Sequence, residues 1–305
     1  MTKYLILNCD DFGQSRAANA AIMELLEAGA VSSATIMPPA PAFGEAAAWV
    51  RSKGLTNVGL HLTLTSEFDG YRWPSLTGGQ SLHDGSGFQH RTVLEFERKA
   101  EPRDVKAEIL AQFRAAKEAG LPVSHVDNHM GSLYGMETGR SYLPFVLWQC
   151  SRRRLPFRLF RKVYAKDLFL ASIPNIETTL TKVTALADML GVPLPDYLLS
   201  HPFHIEPGET YDSFKAMLIG KLYELPEGIS ETYVHPAVPD EEMRKLIPSW
   251  DKRVWEFRLL QDEDFAYALR DAGVRLTDYR QLRTRSPRRP RIAAAVSLLR
   301  SLAKP

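Results

Sequence analysis

The sequence predicts an α/β fold on a parallel sheet, open or closed as a barrel. Two observations carry that prediction. Short apolar runs alternate with segments of helical period along most of the chain, the mark of repeated β-then-α units. Titratable residues then gather at the ends of those runs: Asp10 and Asp11 after the first, His61 in the third, His129 after the fourth and His235 after a late one. Parallel strands bring such ends to one rim, where the active sites of α/β folds are built.

Residues 3–9 read as the first strand. Ser15 is a natural N-cap, and Ala18, Ile22, Leu25 and Leu26 recur at helical spacing until Gly29 stops the helix. Residues 32–37 form the next strand, closed by Pro38-Pro39; a helix from Phe43 to Lys53 ends at Gly54, and residues 57–64 form a third strand. Residues 66–92, rich in Gly, Ser and Pro without a period, read as a long loop, and loops of that length are usually lids or disordered. Val105, Ile109, Phe113 and Ala116 mark one face of a helix over 102–119, and a strand over 122–128 leads into Asn128-His129-Met130-Gly131. The stretch 151–200 shows a basic patch and a helix near 178–190. A strand over 231–234, a long helix over about 251–272 and a short strand near 274–276 follow, with no internal repeat.

A chain of 305 residues suits one large domain or two small ones. We expect a single barrel over 1–282 and a basic tail over 283–305, which has arginines, prolines and small apolar residues but no acids. That tail reads as solvated; a weak amphipathic helix over 292–302 touching a membrane or partner is the sharper alternative. A net charge of +2, with no basic patch interleaved with aromatics in the body of the chain, argues against nucleic acid. Two cysteines make no disulfide framework, no signal peptide is evident, and no run approaches the roughly 20 apolar residues of a spanning helix. The expectation is a cytoplasmic protein, with a homodimer as the candidate assembly.

Asp10 and Asp11 lie side by side after an apolar strand, so each opposes the other's ionisation unless a cation or proton intervenes. Two histidines and one carboxylate are a common ligand set for Zn²⁺, Mn²⁺, Co²⁺, Ni²⁺ or Fe²⁺. The second carboxylate is then free to accept a proton from water. His61, His125, His129 and His235 are the candidates. Of the pair spaced four apart, His125 and His129, one suffices, with Asp127 orienting an imidazole from behind. His235 reads as a general acid or an orienting group, and His201 and His204 as structural or substrate-contacting. Asp11-Phe12-Gly13 matches a kinase triplet but lacks the kinase loops. A non-haem iron triad around His125-Val126-Asp127 would call for an all-β chain.

Asn8-Cys9-Asp10-Asp11-Phe12-Gly13, Val31-Ser32-Ser33-Ala34-Thr35, Val58-Gly59-Leu60-His61-Leu62, His125-Val126-Asp127-Asn128-His129 and His235-Pro236 span residues 8 to 236 in this order. In this combination the chain resembles the YdjC-like carbohydrate deacetylase family, which includes chitooligosaccharide deacetylases. The resemblance implies a (β/α) barrel, TIM-like or incomplete with seven strands, related to polysaccharide deacetylases. It implies one divalent metal ion (Zn, Mg, Mn, Co or Ni) on Asp11, His61 and His129, with Asp10 as catalytic base and His235 as the late catalytic histidine. Further histidines often follow the position of His129 in that family; here Met130-Gly131 stand there.

The expected activity is metal-dependent removal of an acetyl group from an N-acetylated sugar or oligosaccharide. Tyr71, Trp73 and Tyr134 are candidates to stack on sugar rings. The alternatives are a metal-dependent esterase or phosphoesterase on the same barrel, or a non-catalytic sugar-binding protein.

Overall fold

The computed structural model describes residues 2–285. In chain order its regular elements are β1 (Lys3–Phe12), α1 (Arg16–Glu27), β2 (Ser33–Ile36), α2 (Phe43–Lys53), β3 (Val58–Leu62), α3 (Val93–Lys99), α4 (Pro102–Glu118), β4 (Val126–Asn128), α5 (Leu143–Arg153), α6 (Leu168–Ser172), α7 (Ile176–Leu190), β5 (Tyr197–Leu199), α8 (Tyr211–Glu224), β6 (Gly228–Val234), α9 (Glu241–Leu246), α10 (Trp250–Leu259), α11 (Glu263–Asp271), β7 (Val274–Leu276) and α12 (Tyr279–Arg285). Every pairing is parallel, in the order β4-β3-β2-β1-β6-β5, with β7 also paired to the start of β1. This is an incomplete (β/α) barrel.

An irregular segment crosses the gap between β4 and β5. Arg158 N donates to Val126 O at 2.9 Å, Val126 N to Pro156 O at 3.0 Å, and Phe157 N to Pro193 O at 3.1 Å. From Leu5 onward β1 is buried along its whole length, as a central strand covered on both faces must be. Its Leu5, Leu7 and Cys9 join Ile22 of α1, Ala34 and Ile36 of β2 and Leu60 and Leu62 of β3 in the main core.

The predicted helices from Ser15 and from Phe43 are present, with Ser15 Oγ accepting from Ala18 N at 3.1 Å. Strand β1 runs past residue 9 to carry the acid pair within its last turn of chain. The ladder shifts register between Cys9 and Phe12, and Asp11 sits at φ 62°, a left-handed conformation that aspartate tolerates better than most residues. The helix expected over 251–272 is two helices. The Asp262 side chain accepts from Asp264 N and so caps α11, breaking the helix at Leu260–Asp262. Helices α3, α5 and α8 and strand β5 were not legible from periodicity.

The stretch 66–92 is not the free lid its composition suggests. The Glu108 carboxylate of α4 accepts from Leu76 N at 3.1 Å and Thr77 N at 2.9 Å. Asp104 of α4 accepts from Ser81 Oγ at 2.7 Å, and within the loop Arg72 Nη1 donates to Asp84 at 2.6 Å. The buried Glu108 carboxylate thus supplies partners that a period-free backbone lacks. Helix α12 carries the chain past residue 282; residues 286–305, with the helix expected over 292–302, lie outside the described residues. Among the described residues no helix is long and apolar enough to cross a membrane.

Candidate active site

The strand ends bring Asp11, His61 and His129 together. Asp11 Oδ1 is buried without a well-formed hydrogen bond, 3.3 Å from His129 Nδ1 and 3.5 Å from His61 Nε2. Metal–donor bonds of about 2.0–2.2 Å put neighbouring tetrahedral donors roughly 3.3–3.6 Å apart, so this spacing fits an ion. The far nitrogen of each ring meets a carboxylate: His61 Nδ1 lies 2.7 Å from Asp127 Oδ1, and His129 Nε2 lies 2.9 Å from Glu67 Oε2. The other oxygen of Asp11 is already committed, accepting from Arg253 Nη2 at 2.7 Å and Gln14 Nε2 at 3.1 Å.

Asp10 faces a different partner. Its Oδ2 accepts from Arg158 Nη1 at 2.6 Å, and its Oδ1 accepts from Arg158 Nη2 at 2.7 Å and Asn8 Nδ2 at 2.8 Å. Arg158 also meets Asp127 Oδ2 at 2.9 Å and Glu231 Oε1 at 2.8 Å, while its guanidinium lies 4.8 Å from the Tyr233 ring centre. Asp10, His61 and Asp127 form a second group with metal-ligand spacing. Its two carboxylates are already held by the Arg158 cation, so the Asp11–His61–His129 set is the one that fits a metal.

The electrostatics agree. Arg158 and Arg253 offset part of the negative charge of Asp10, Asp11, Asp127 and Glu231, and a cation between Asp11 and the two histidines would offset more of it. Burial opposes ionisation of Asp10, but Arg158 outweighs it and holds the carboxyl below the usual range. Burial likewise opposes ionisation of Asp11, and Arg253 and His129 overcome it. Burial disfavours a charged His129, yet Glu67 and Asp11 lift its pKa to about 10. His61 is raised in the same way, against burial, chiefly by Asp127.

His235 closes β6 on the same rim. Its backbone N–H donates to Glu256 Oε2 at 2.7 Å, and Glu256 Oε1 lies 2.8 Å from His201 Nε2. Burial pushes the pKa of His235 down, opposed by the carboxylates of Asp11 and Glu256. Phe203, 47% exposed, stands edge-on to His235 with ring centres 5.1 Å apart.

Several expectations resolve here. His125 is not at the rim: it stacks on Tyr279 at 3.8 Å, bonds Ser124 Oγ at 2.8 Å, and lies so close to β3 that a Cβ on Gly59 would fall 2.5 Å from its Cε1. It is a core histidine. Trp73, 1% exposed, packs 6.1 Å from the His129 ring and is no sugar platform; Phe203 is the exposed aromatic beside the site. Tyr71 and Tyr134 spend their hydroxyls on Gln14 O and Arg158 O. His201 is buried on Glu256, whereas His204 is exposed and meets Glu206.

Glu67, Arg158, Arg253 and Glu256 escaped the sequence reading. Arg158 left one trace, a lone charge in the apolar run Leu155–Phe160. Arg253 and Glu256, three apart on α10, present one face, but nothing in the sequence tells that face from a solvated one.

The family profile described as YdjC-like protein matches residues 4–271. A carbohydrate deacetylase of Thermus thermophilus is 28% identical over 251 residues, covering 82% of this chain and 83% of its own. One of Geobacillus stearothermophilus is 26% identical, covering 92% and 98%. A solved protein of Enterococcus faecalis V583, named for a proposed role in cellobiose-phosphate cleavage, superposes with a TM-score of 0.72 at 25% identity, covering 92% and 99%. With a match over nearly its whole length and the same barrel, this chain belongs to the YdjC-like protein family.

Proposed function

We propose that the protein is a metal-dependent hydrolase that removes the acetyl group from an N-acetylated sugar or oligosaccharide, releasing acetate. The observation that carries this reading is the division of the acid pair. Asp11 turns an uncommitted oxygen to two histidines, while Asp10 is kept ionised by Arg158. The names of the relatives, carbohydrate deacetylases, supply the substrate class.

In this reading Asp11, His61 and His129 hold the ion. When bound, a divalent ion there acidifies water and polarises the acetamide carbonyl. Asp10 takes the proton from water as its oxygen attacks the acyl carbon. The C–N bond then breaks as His235, when protonated, delivers a proton to the departing nitrogen. Water and amide thus become acetate and amine. Phe203 offers an apolar face to the sugar beside the reacting group. The cytoplasmic residence expected from composition is part of the same proposal.

A substrate panel tests the reaction class: N-acetylglucosamine oligomers, O-acetylated sugars, and phosphorylated disaccharides, these last because of the name of the Enterococcus relative. Acetate release from the N-acetylated members supports the proposal. Turnover confined to esters or phosphates selects the esterase or phosphoesterase reading. Binding of sugars without turnover by the metal-loaded protein selects the non-catalytic one.

A further inference from the structure

The two candidate metal-binding rings are braced in unlike ways. His61 is held at Nδ1 by Asp127, a fully buried strand residue, which leaves Nε2 beside Asp11. His129 is held at Nε2 by Glu67, which leaves Nδ1 beside Asp11. An imidazole presents a lone pair on one nitrogen only when its proton is kept on the other, and a carboxylate behind the ring keeps it there. Asp127 therefore selects one tautomer at His61, and Glu67 selects the opposite one at His129.

Glu67 is built for this task. It lies five residues past the end of β3, and the two residues before it are fixed: Ser66 N donates to His90 O at 2.9 Å, Trp73 N to Ser66 Oγ at 3.0 Å, and Trp73 Nε1 to Thr65 O at 3.2 Å. The Trp73 ring packs against His129 itself. The carboxylate is thus presented from a rigid base, although its side chain is 19% exposed.

We infer that Glu67 is a positioning residue of the metal centre, holding His129 by Nε2 so that Nδ1 completes the donor set with Asp11 and His61. The inference rests on the metal-dependent reading above.

Cobalt(II) alone is the probe. Chelator-stripped wild type, Glu67→Leu and Glu67→Gln are titrated by calorimetry, and the visible spectrum of each cobalt form is recorded. Wild type is expected to bind one Co²⁺ per chain. Glu67→Leu should bind it about 10–100-fold more weakly with an altered spectrum, while its far-ultraviolet circular dichroism stays that of the folded protein. Glu67→Gln, whose amide oxygen still accepts from Nε2–H, should recover part of the affinity and the wild-type spectrum. Wild-type affinity and spectrum in Glu67→Leu, or in Glu67→Ala should Glu67→Leu fail to fold, overturn the role of Glu67 and leave the metal reading intact. A wild type that binds no cobalt overturns the metal reading itself, and this inference with it.

Discussion

Arg158 grips both carboxylate oxygens of Asp10, at 2.6 and 2.7 Å, from a stretch of chain that belongs to no regular strand or helix. The same guanidinium reaches Asp127 and Glu231, so one buried cation serves three acids. Removing one partner of a buried ion pair strands the others. Arg158→Met is therefore expected to lose about 3–5 kcal/mol of stability in urea unfolding. Arg158 lowers the pKa of Asp10, so its loss raises that pKa, and a base must be ionised to act. In whatever folded fraction remains, the acid limb of kcat/KM should move to higher pH; an unmoved limb would separate Arg158 from the base.

The acid pair should divide under mutation. Asp11→Ala is expected to lose bound metal and activity together. Asp10→Asn should keep its metal, measured by elemental analysis, and lose about 10²–10⁴-fold in kcat, the range of a general base. Full turnover in Asp10→Asn would remove Asp10 from the base role.

His125 predicts a pH dependence of stability. Burial depresses its pKa to about 3 in the folded protein, against about 6.5 in the unfolded chain. Between those values the unfolded state binds the extra proton, so stability attached to His125 is full above pH 6.5 and is lost as pH falls. From pH 7.5 to pH 5 the loss is about 2 kcal/mol. Urea unfolding of chelated wild type and His125→Asn at the two pH values should show the gap between them narrowing by about that amount on acidification. A constant gap would contradict it.

Gly59 is fixed by the same ring. A Cβ there would lie 2.5–2.7 Å from three atoms of the His125 imidazole, which is itself pinned by Tyr279. Gly59→Ala should cost about 1–3 kcal/mol, as overpacked cores do, read by thermal or urea unfolding. A neutral result would mean that the His125–Tyr279 stack yields.

Strand ends announced themselves in the sequence because apolar runs stop at polar residues; Asp10, Asp11, His61, His129 and His235 were all singled out that way. What stayed hidden was whatever is held by distant partners. Arg158 lies on an irregular segment fixed by Val126 and Pro193, with no period to reveal it. Glu67 belongs to a loop whose order comes in part from Glu108 and Asp104 of α4 rather than from its own composition alone. Arg253 and Glu256 look like an ordinary charged helix face until the fold turns that face onto β1 and β6. The break between α10 and α11 escaped because Asp262, an N-cap in the structure, reads as another polar position of a long helix.

Acetate release from N-acetylglucosamine oligomers by chelator-stripped protein, followed while a divalent metal is titrated back, tests the central claim most directly. The account predicts no release without metal and a rate that climbs until one equivalent per chain is bound. Release that proceeds unchanged in chelator would contradict it.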